Sequence, residues 1–198
     1  MTNTNNLELN QGDDFIIALD VSASMQATDT HTGATRYDFS LEKTKLFIGE
    51  AGKYDTDGVS VYLFGQKLTT FKDVTAGAAD KVPAAPVFEM ATQTHLVINE
   101  AWNEHKAAAN EQTTLMIVTD GVPSDKQAVK DAIVRIANEM KDEREFNIIF
   151  LTVGGDVGAA EYIQNLDDNL KEAKHDIVGS ARLEDIDFVS AFAEAVEG

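Results

Sequence analysis

The 198-residue chain has no cysteine, which excludes both a disulfide framework and thiolate chemistry. Positive charge is scarce: 16 Lys and Arg stand against 34 Asp and Glu, a net charge of −18, with a pI of about 4.4. So acidic a chain is a poor ligand for nucleic acid, whose phosphates need Lys and Arg, and for acidic lipid surfaces. No apolar run approaches the length of a membrane span. The N-terminal Met1-Thr-Asn-Thr-Asn-Asn6 lacks the basic and apolar regions of a signal peptide. These absences lead us to expect a cytoplasmic protein, a profile that a virion component shares. Neither a Gly-x-Ser-x-Gly elbow nor a Gly-Lys-Ser/Thr phosphate loop occurs. What remains is 43% hydrophobic residues, enough for one domain with a sizeable core.

The most informative stretch is Phe15-Ile-Ile-Ala-Leu-Asp20-Val-Ser22-Ala-Ser24-Met25. The apolar run from Phe15 to Leu19 predicts a strand buried on both faces. It stops at Asp20, followed by hydroxyls at Ser22 and Ser24. A carboxylate and two hydroxyls spaced by two converge only if the backbone turns sharply after the strand. Such an all-oxygen set suits a hard cation, Mg2+, Mn2+ or Ca2+. An acidic helix cap followed by two serines is the plainer account of the same residues.

Beyond a loose tail over residues 1–12, the remaining 13–198 read as one domain. Thr35-Arg-Tyr-Asp38 resembles a capping box opening a helix, with Tyr37, Leu41, Thr44, Ile48 and Ala51 as its buried stripe. Val59–Phe64 is a second strand, and Gly65-Gln66 turns the chain into Lys67–Phe71, an antiparallel edge strand. The segment Asp73–Ala91, with Pro83 and Pro86, gives the weakest pattern. Val97, Ile98, Ala101, Trp102 and His105 mark a helix, and Leu115–Val118 a buried strand. Ser124-Asp-Lys-Gln127 reads as a second capping box, for a helix with Ala132, Ile133, Ile136, Ala137 and Met140 inward. Phe146–Val153 is the next strand, closed by Gly154-Gly155. A helix with Ala159, Ile163, Leu166 and Leu170 follows, then a short strand near Asp176–Val178. A last helix carries Phe188, Val189, Phe192 and Val196. Alternating strands and helices predict an α/β fold, a Rossmann-like, doubly wound, mostly parallel sheet with one antiparallel edge strand and helices on both faces. Right-handed crossovers then gather the loops after the strands at one edge.

Three segments meet there: Asp20-Val-Ser22-Ala-Ser24; Thr119-Asp120-Gly121, after the buried strand; and Thr92-Gln93-Thr94, just before a helix. Together, in this order, they resemble the metal-ion-dependent adhesion site of von Willebrand factor type A domains. The resemblance spans Asp13 to Val196. Thr92-x-Thr94-x-x-Val97-Ile98-x-x-Ala101 is similar to the family's Thr and following helix, and favours Thr92 over Thr94. Met90-Ala91 stands where many members carry Gly-Gly. Intracellular bacterial and phage members, including tellurite-resistance-associated ones, look most similar, because Asp57-Gly-Val59 follows the first helix and cysteine is absent.

The resemblance implies a bound divalent cation, Mg2+ with Mn2+ or Ca2+ as substitutes, held by Asp20, Ser22, Ser24, Thr92 and Asp120. It implies that a protein partner supplies an Asp or Glu to that cation, and that the chain binds rather than catalyses. The alternative is a structural protein of this fold whose metal only braces the loops. A haloacid-dehalogenase-type phosphatase also starts from an Asp ending its first strand, but needs a second Asp where this chain has Ser22. Asp29 and Asp38 read as capping or solvated charges, Glu89 and His95 as surface residues, and Trp102 and His105 as packed core.

Overall fold

Strand β1 (Asp14–Asp20) lies at the centre of the sheet, and its side chains show why it is apolar throughout. Phe15, Ile17 and Leu19 enter one hydrophobic core, and Ile16 and Ala18 the core on the opposite face. The computed structural model describes residues 14–53, 57–108 and 112–188. The tail over residues 1–12, and the final helix from Val189 onward with Phe192 and Val196, lie outside the described residues.

Helix α1 (Arg36–Ala51) follows, then β2 (Val59–Phe64), β3 (Leu68–Val74), α2 (Thr94–Ala108), β4 (Thr113–Thr119), α3 (Lys126–Glu139), β5 (Phe146–Thr152), α4 (Val157–Asp168) and β6 (Val178–Arg182). The sheet order is β3-β2-β1-β4-β5-β6. Every neighbouring pair is parallel except β2 and β3, so the expected antiparallel edge strand is present. One face carries α1 and a 3-10 turn at Ala76–Lys81, whose residues share a core with Ile17, Val61 and Val118. The other face carries α2, α3 and α4 against Ile16, Tyr62 and Ile117. The expected stripes of α1, α2 and α3 are all buried.

Several details differ from the sequence reading, among them the edge strand, which runs Leu68–Val74 rather than Lys67–Phe71. Strand β6 begins at Val178 and runs to Arg182, so only the last residue of the expected Asp176–Val178 belongs to it. Leu170 lies beyond α4, which stops at Asp168, and packs half-buried against the core. Helix α3 is capped by Asp125, whose carboxylate accepts from the Ala128 amide at 2.9 Å. Ser124 is drawn away instead: its hydroxyl accepts from the Thr92 amide at 3.0 Å.

The chain winds from β1 outward to β2 and β3, then returns across β1 to build β4, β5 and β6. The strand order therefore reverses between β1 and β4, and at such a switch point the two outgoing loops diverge and open a crevice beyond the carboxyl ends of the strands.

Candidate metal centre

Register brings the first two site residues level. Leu19 pairs with Val118, so Asp20 and Thr119 leave the sheet side by side, and the Thr119 hydroxyl donates to Asp20 Oδ2 at 2.6 Å. The other oxygen, Asp20 Oδ1, accepts from the Ser22 amide at 2.7 Å. That bond folds the chain back immediately after the strand, as the spacing of Asp20, Ser22 and Ser24 requires. A 3-10 turn over Ala23–Gln26 completes the bend, anchored by Met25, which is fully buried.

The Ser22 and Ser24 hydroxyls lie 3.0 Å apart, and Ser24 Oγ donates to Asp120 Oδ1 at 2.9 Å. Ser24 therefore gives its proton to the bond with Asp120. The Ser24 and Thr119 hydroxyls thus spend their protons on the two carboxylates, which leaves their oxygens acceptors only, the polarity that a hard cation needs. Ser24 is exposed at the mouth, whereas Asp20 is 0% and Asp120 3% exposed.

Burial pushes the Asp20 carboxyl up to about 6; the bonds from Thr119 and Ser22 offset part of this, and the charge of Asp120 adds to it. A carboxylate so placed is short of positive charge. Among the described residues no three His, Asp or Glu side chains gather around one point. The donor set is two carboxylates plus hydroxyls, which fits a cation bound with part of its water shell retained.

Thr92 and Thr94 are separated by the start of α2. Thr94 is the first helical residue and is buried. Thr92 lies two residues earlier, locked by its amide to Ser124 Oγ and by its carbonyl, which accepts from the Ser124 amide at 3.0 Å. This pair joins the loop before α2 to the loop after β4. Below it, Glu89 runs beside Ser22 as a parallel bridge: the Glu89 amide donates to Val21 O and the Ala23 amide to Glu89 O, both at 2.8 Å. The Glu89 side chain, read as surface, is half-buried and accepts from the Lys67 amide at 2.9 Å. Gly65 is needed beside it, since a Cβ there would stand 2.7 Å from Glu89 Oε2.

One site residue escaped the sequence reading. Arg36 opens α1, and its Nη1 donates to Asp120 Oδ2 at 2.7 Å. Its Nε and Nη2 form a fork on Asp29 at 2.7 and 2.5 Å. Asp29, read as a capping or solvated charge, is thus ion-paired at the site, and that pairing holds its carboxyl below the usual range. The only signal was scarcity, with four arginines in the whole chain.

No protein-family model matches the sequence, and no curated protein matches it. Solved structures match in fold. A mutant form of the PilB minor pilin from Streptococcus sanguinis superposes with a TM-score of 0.65 at 11% identity, over 96% of this chain and 62% of that one. This chain thus spans under two thirds of that protein's length. The manganese-loaded TRAP protein of Plasmodium vivax gives 0.58 at 14% identity, covering 93% of this chain and 72% of its own. The vWF domain of the type V pili tip protein Mfa5 from Porphyromonas gingivalis gives 0.57 at 12% identity, covering 96% and 95%. At such identities the likeness establishes the fold, which is that of the von Willebrand factor type A domains.

Proposed function

We propose that the chain is a protein-binding module whose partner is recruited through a divalent cation at the β1/β4 switch point. Asp20, Ser22, Ser24, Thr92 and Asp120 are the residues that would hold the ion. When bound, the cation supplies a hard positive position that an incoming carboxylate completes. The observation that carries this reading is the hydrogen-bonded run Ser22–Ser24–Asp120, in which Ser24 donates to the buried Asp120 carboxylate and is itself open to solvent. The fold supports it, and so does the manganese carried by the TRAP neighbour.

The rim adds specificity. Met90 is 90% and Val87 84% exposed, on the segment that pairs by its backbone with Ser22 and Ala23. An acidic partner residue flanked by an apolar one fits this rim, and cations farther out on the partner would complement the net charge of −18. The bracing alternative draws on the Arg36 bridge, which ties the same loops by protein groups alone.

Calorimetry with Mg2+ and Mn2+ tests the reading. The wild type should bind in the weak range of hydrated oxygen sites, roughly 10^-4 to 10^-3 M. Asp20→Ala should bind neither ion, with an unchanged circular-dichroism spectrum. Undiminished ion binding by Asp20→Ala overturns the assignment, and partner capture that persists in EDTA leaves the bracing role.

A further inference from the structure

We infer that Arg36 is a built-in counter-ion, which stands in for the metal at Asp120 when the ion is absent and must be outcompeted when it arrives. The inference rests on the metal-site reading above and deepens it. Four independent features point the same way. The guanidinium side chain is only 13% exposed and contacts Asp120, itself buried, rather than extending into water. Its fork on Asp29 fixes its plane, leaving Nη1 aimed at Asp120 Oδ2. The backbone of α1 is fixed beneath it, because the Arg36 amide donates to Ala27 O at 2.8 Å and Thr35 caps the helix. Finally, the loop after β5 is shaped around it. Gly154 adopts φ +79, and a Cβ there would lie 2.4 Å from Arg36 Nε and 2.7 Å from Cζ.

One side chain therefore joins the loop after β1, the start of α1 and the loop after β4, with Gly154 of the loop after β5 leaving room for it. Two consequences follow from its charge and its shape separately. Its charge neutralises Asp120 and repels a dication bound to the same carboxylate, which lowers ion affinity. Its planar guanidinium holds the three segments together before any ion binds, which a Lys ammonium cannot reproduce.

The test uses Mn2+ titration calorimetry together with thermal melting in EDTA, on the wild type, Arg36→Gln, Arg36→Lys and Gly154→Ala. Arg36→Gln should bind Mn2+ about tenfold tighter, the size of effect expected when one nearby positive charge is removed. In EDTA it should melt about 5 °C lower, through loss of a partly buried, bidentate ion pair. Arg36→Lys should keep wild-type affinity yet melt like Arg36→Gln. Gly154→Ala should displace the guanidinium sterically, tightening Mn2+ binding without removing a charge. Arg36→Gln with a native spectrum and wild-type or weaker affinity overturns the inference. If the wild type binds Mn2+ and Asp20→Ala does not, that failure belongs to Arg36 alone. If no protein in the series binds Mn2+, the metal-site reading fails with it.

Discussion

The two ends of the parallel sheet both carry charged and hydroxyl groups beside the core, and they handle them in opposite ways. Toward the end where β1 and β4 begin, Glu104 of α2 accepts from Ser60, Tyr62 and Lys72. His105 stacks on Trp102 with ring centroids 5.1 Å apart and meets Thr113 Oγ1 at 2.9 Å. Glu145 accepts from the Lys141 amide at 2.8 Å. Glu104 and Glu145 are each held by donors of their own chain, although burial and the charges of Asp57 and Glu104 raise the Asp14 carboxyl beside them. At the other end Asp20 and Asp120 accept from two hydroxyls, one amide and one guanidinium, and Ser24 still faces solvent. A cluster satisfied internally stabilises; one short of positive charge at the switch point is available to a ligand.

The largest way to break this contrast is Glu104→Ala. It removes the acceptor from Tyr62 and Ser60, both buried, and should cost roughly 3 kcal/mol in denaturant unfolding, the cost of breaking a buried charged network. Ion binding should be unaffected.

Acid titration of the metal-free protein separates Asp20 from Glu104 by sign. Asp20 sits at about 6 in the folded protein, above its ordinary 3.8, so the folded state takes up the proton first. Stability should rise as pH falls from 7 through 6 toward 4, by on the order of 3 kcal/mol at about 1.4 kcal/mol per pKa unit. Asp20→Asn should remove the larger part of that rise, the raised Asp14 and Asp167 carboxyls supplying the remainder. At the closed end, burial alone would raise Glu104, but the Lys72, Ser60 and Tyr62 bonds more than offset it and hold it below its ordinary 4.5. Its contribution is complete above 4.5 and is lost as pH falls through the lowered value. Denaturant midpoints from pH 7 down to 3 measure both arms, and a wild-type curve without the rise between 6 and 4 contradicts the charge deficit at Asp20.

The smallest effect is expected from Ser124→Ala. Helix α3 keeps its Asp125 cap, so the loss should be about 1 kcal/mol for the single bond to the Thr92 amide. Ion affinity should fall severalfold as Thr92 loosens. A loss of α3 helicity instead would return Ser124 to the capping role that its sequence suggests.

The contrast also marks what could be read from sequence. Strands buried on both faces announce themselves as apolar runs, and helix stripes as three-and-four spacing, because both follow from backbone periodicity. Asp20, Ser22, Ser24 and Asp120 were legible because each lies within a few residues of a strand end. Arg36 was not, since its partners Asp120 and Gly154 are distant in sequence and its local setting is an ordinary capping box. Ser124 misled for the same reason: Thr92, 32 residues away, competes with the local cap for its hydroxyl. The bridge between Ser22 and Glu89 was illegible because it is made by main-chain atoms, which carry no residue signature.

That bridge makes the neighbouring loop an exchangeable cassette. On its far side the Gln93 amide donates to Gly65 O at 2.9 Å; on its near side the Tyr37 hydroxyl donates to Pro83 O at 2.7 Å, and Phe88 packs edge-on against the Tyr37 ring. Between those moorings Ala84, Ala85 and Val87 are exposed and Pro86 is half-exposed. Sequence change at 84–87 is set apart from the oxygen ligands, because those residues point to solvent and the loop meets Ser22 through the backbone bridge at Glu89. A family of variants differing only at residues 84–87 would share one ion affinity while differing in partner, so that recognition can diversify with its chemistry held constant.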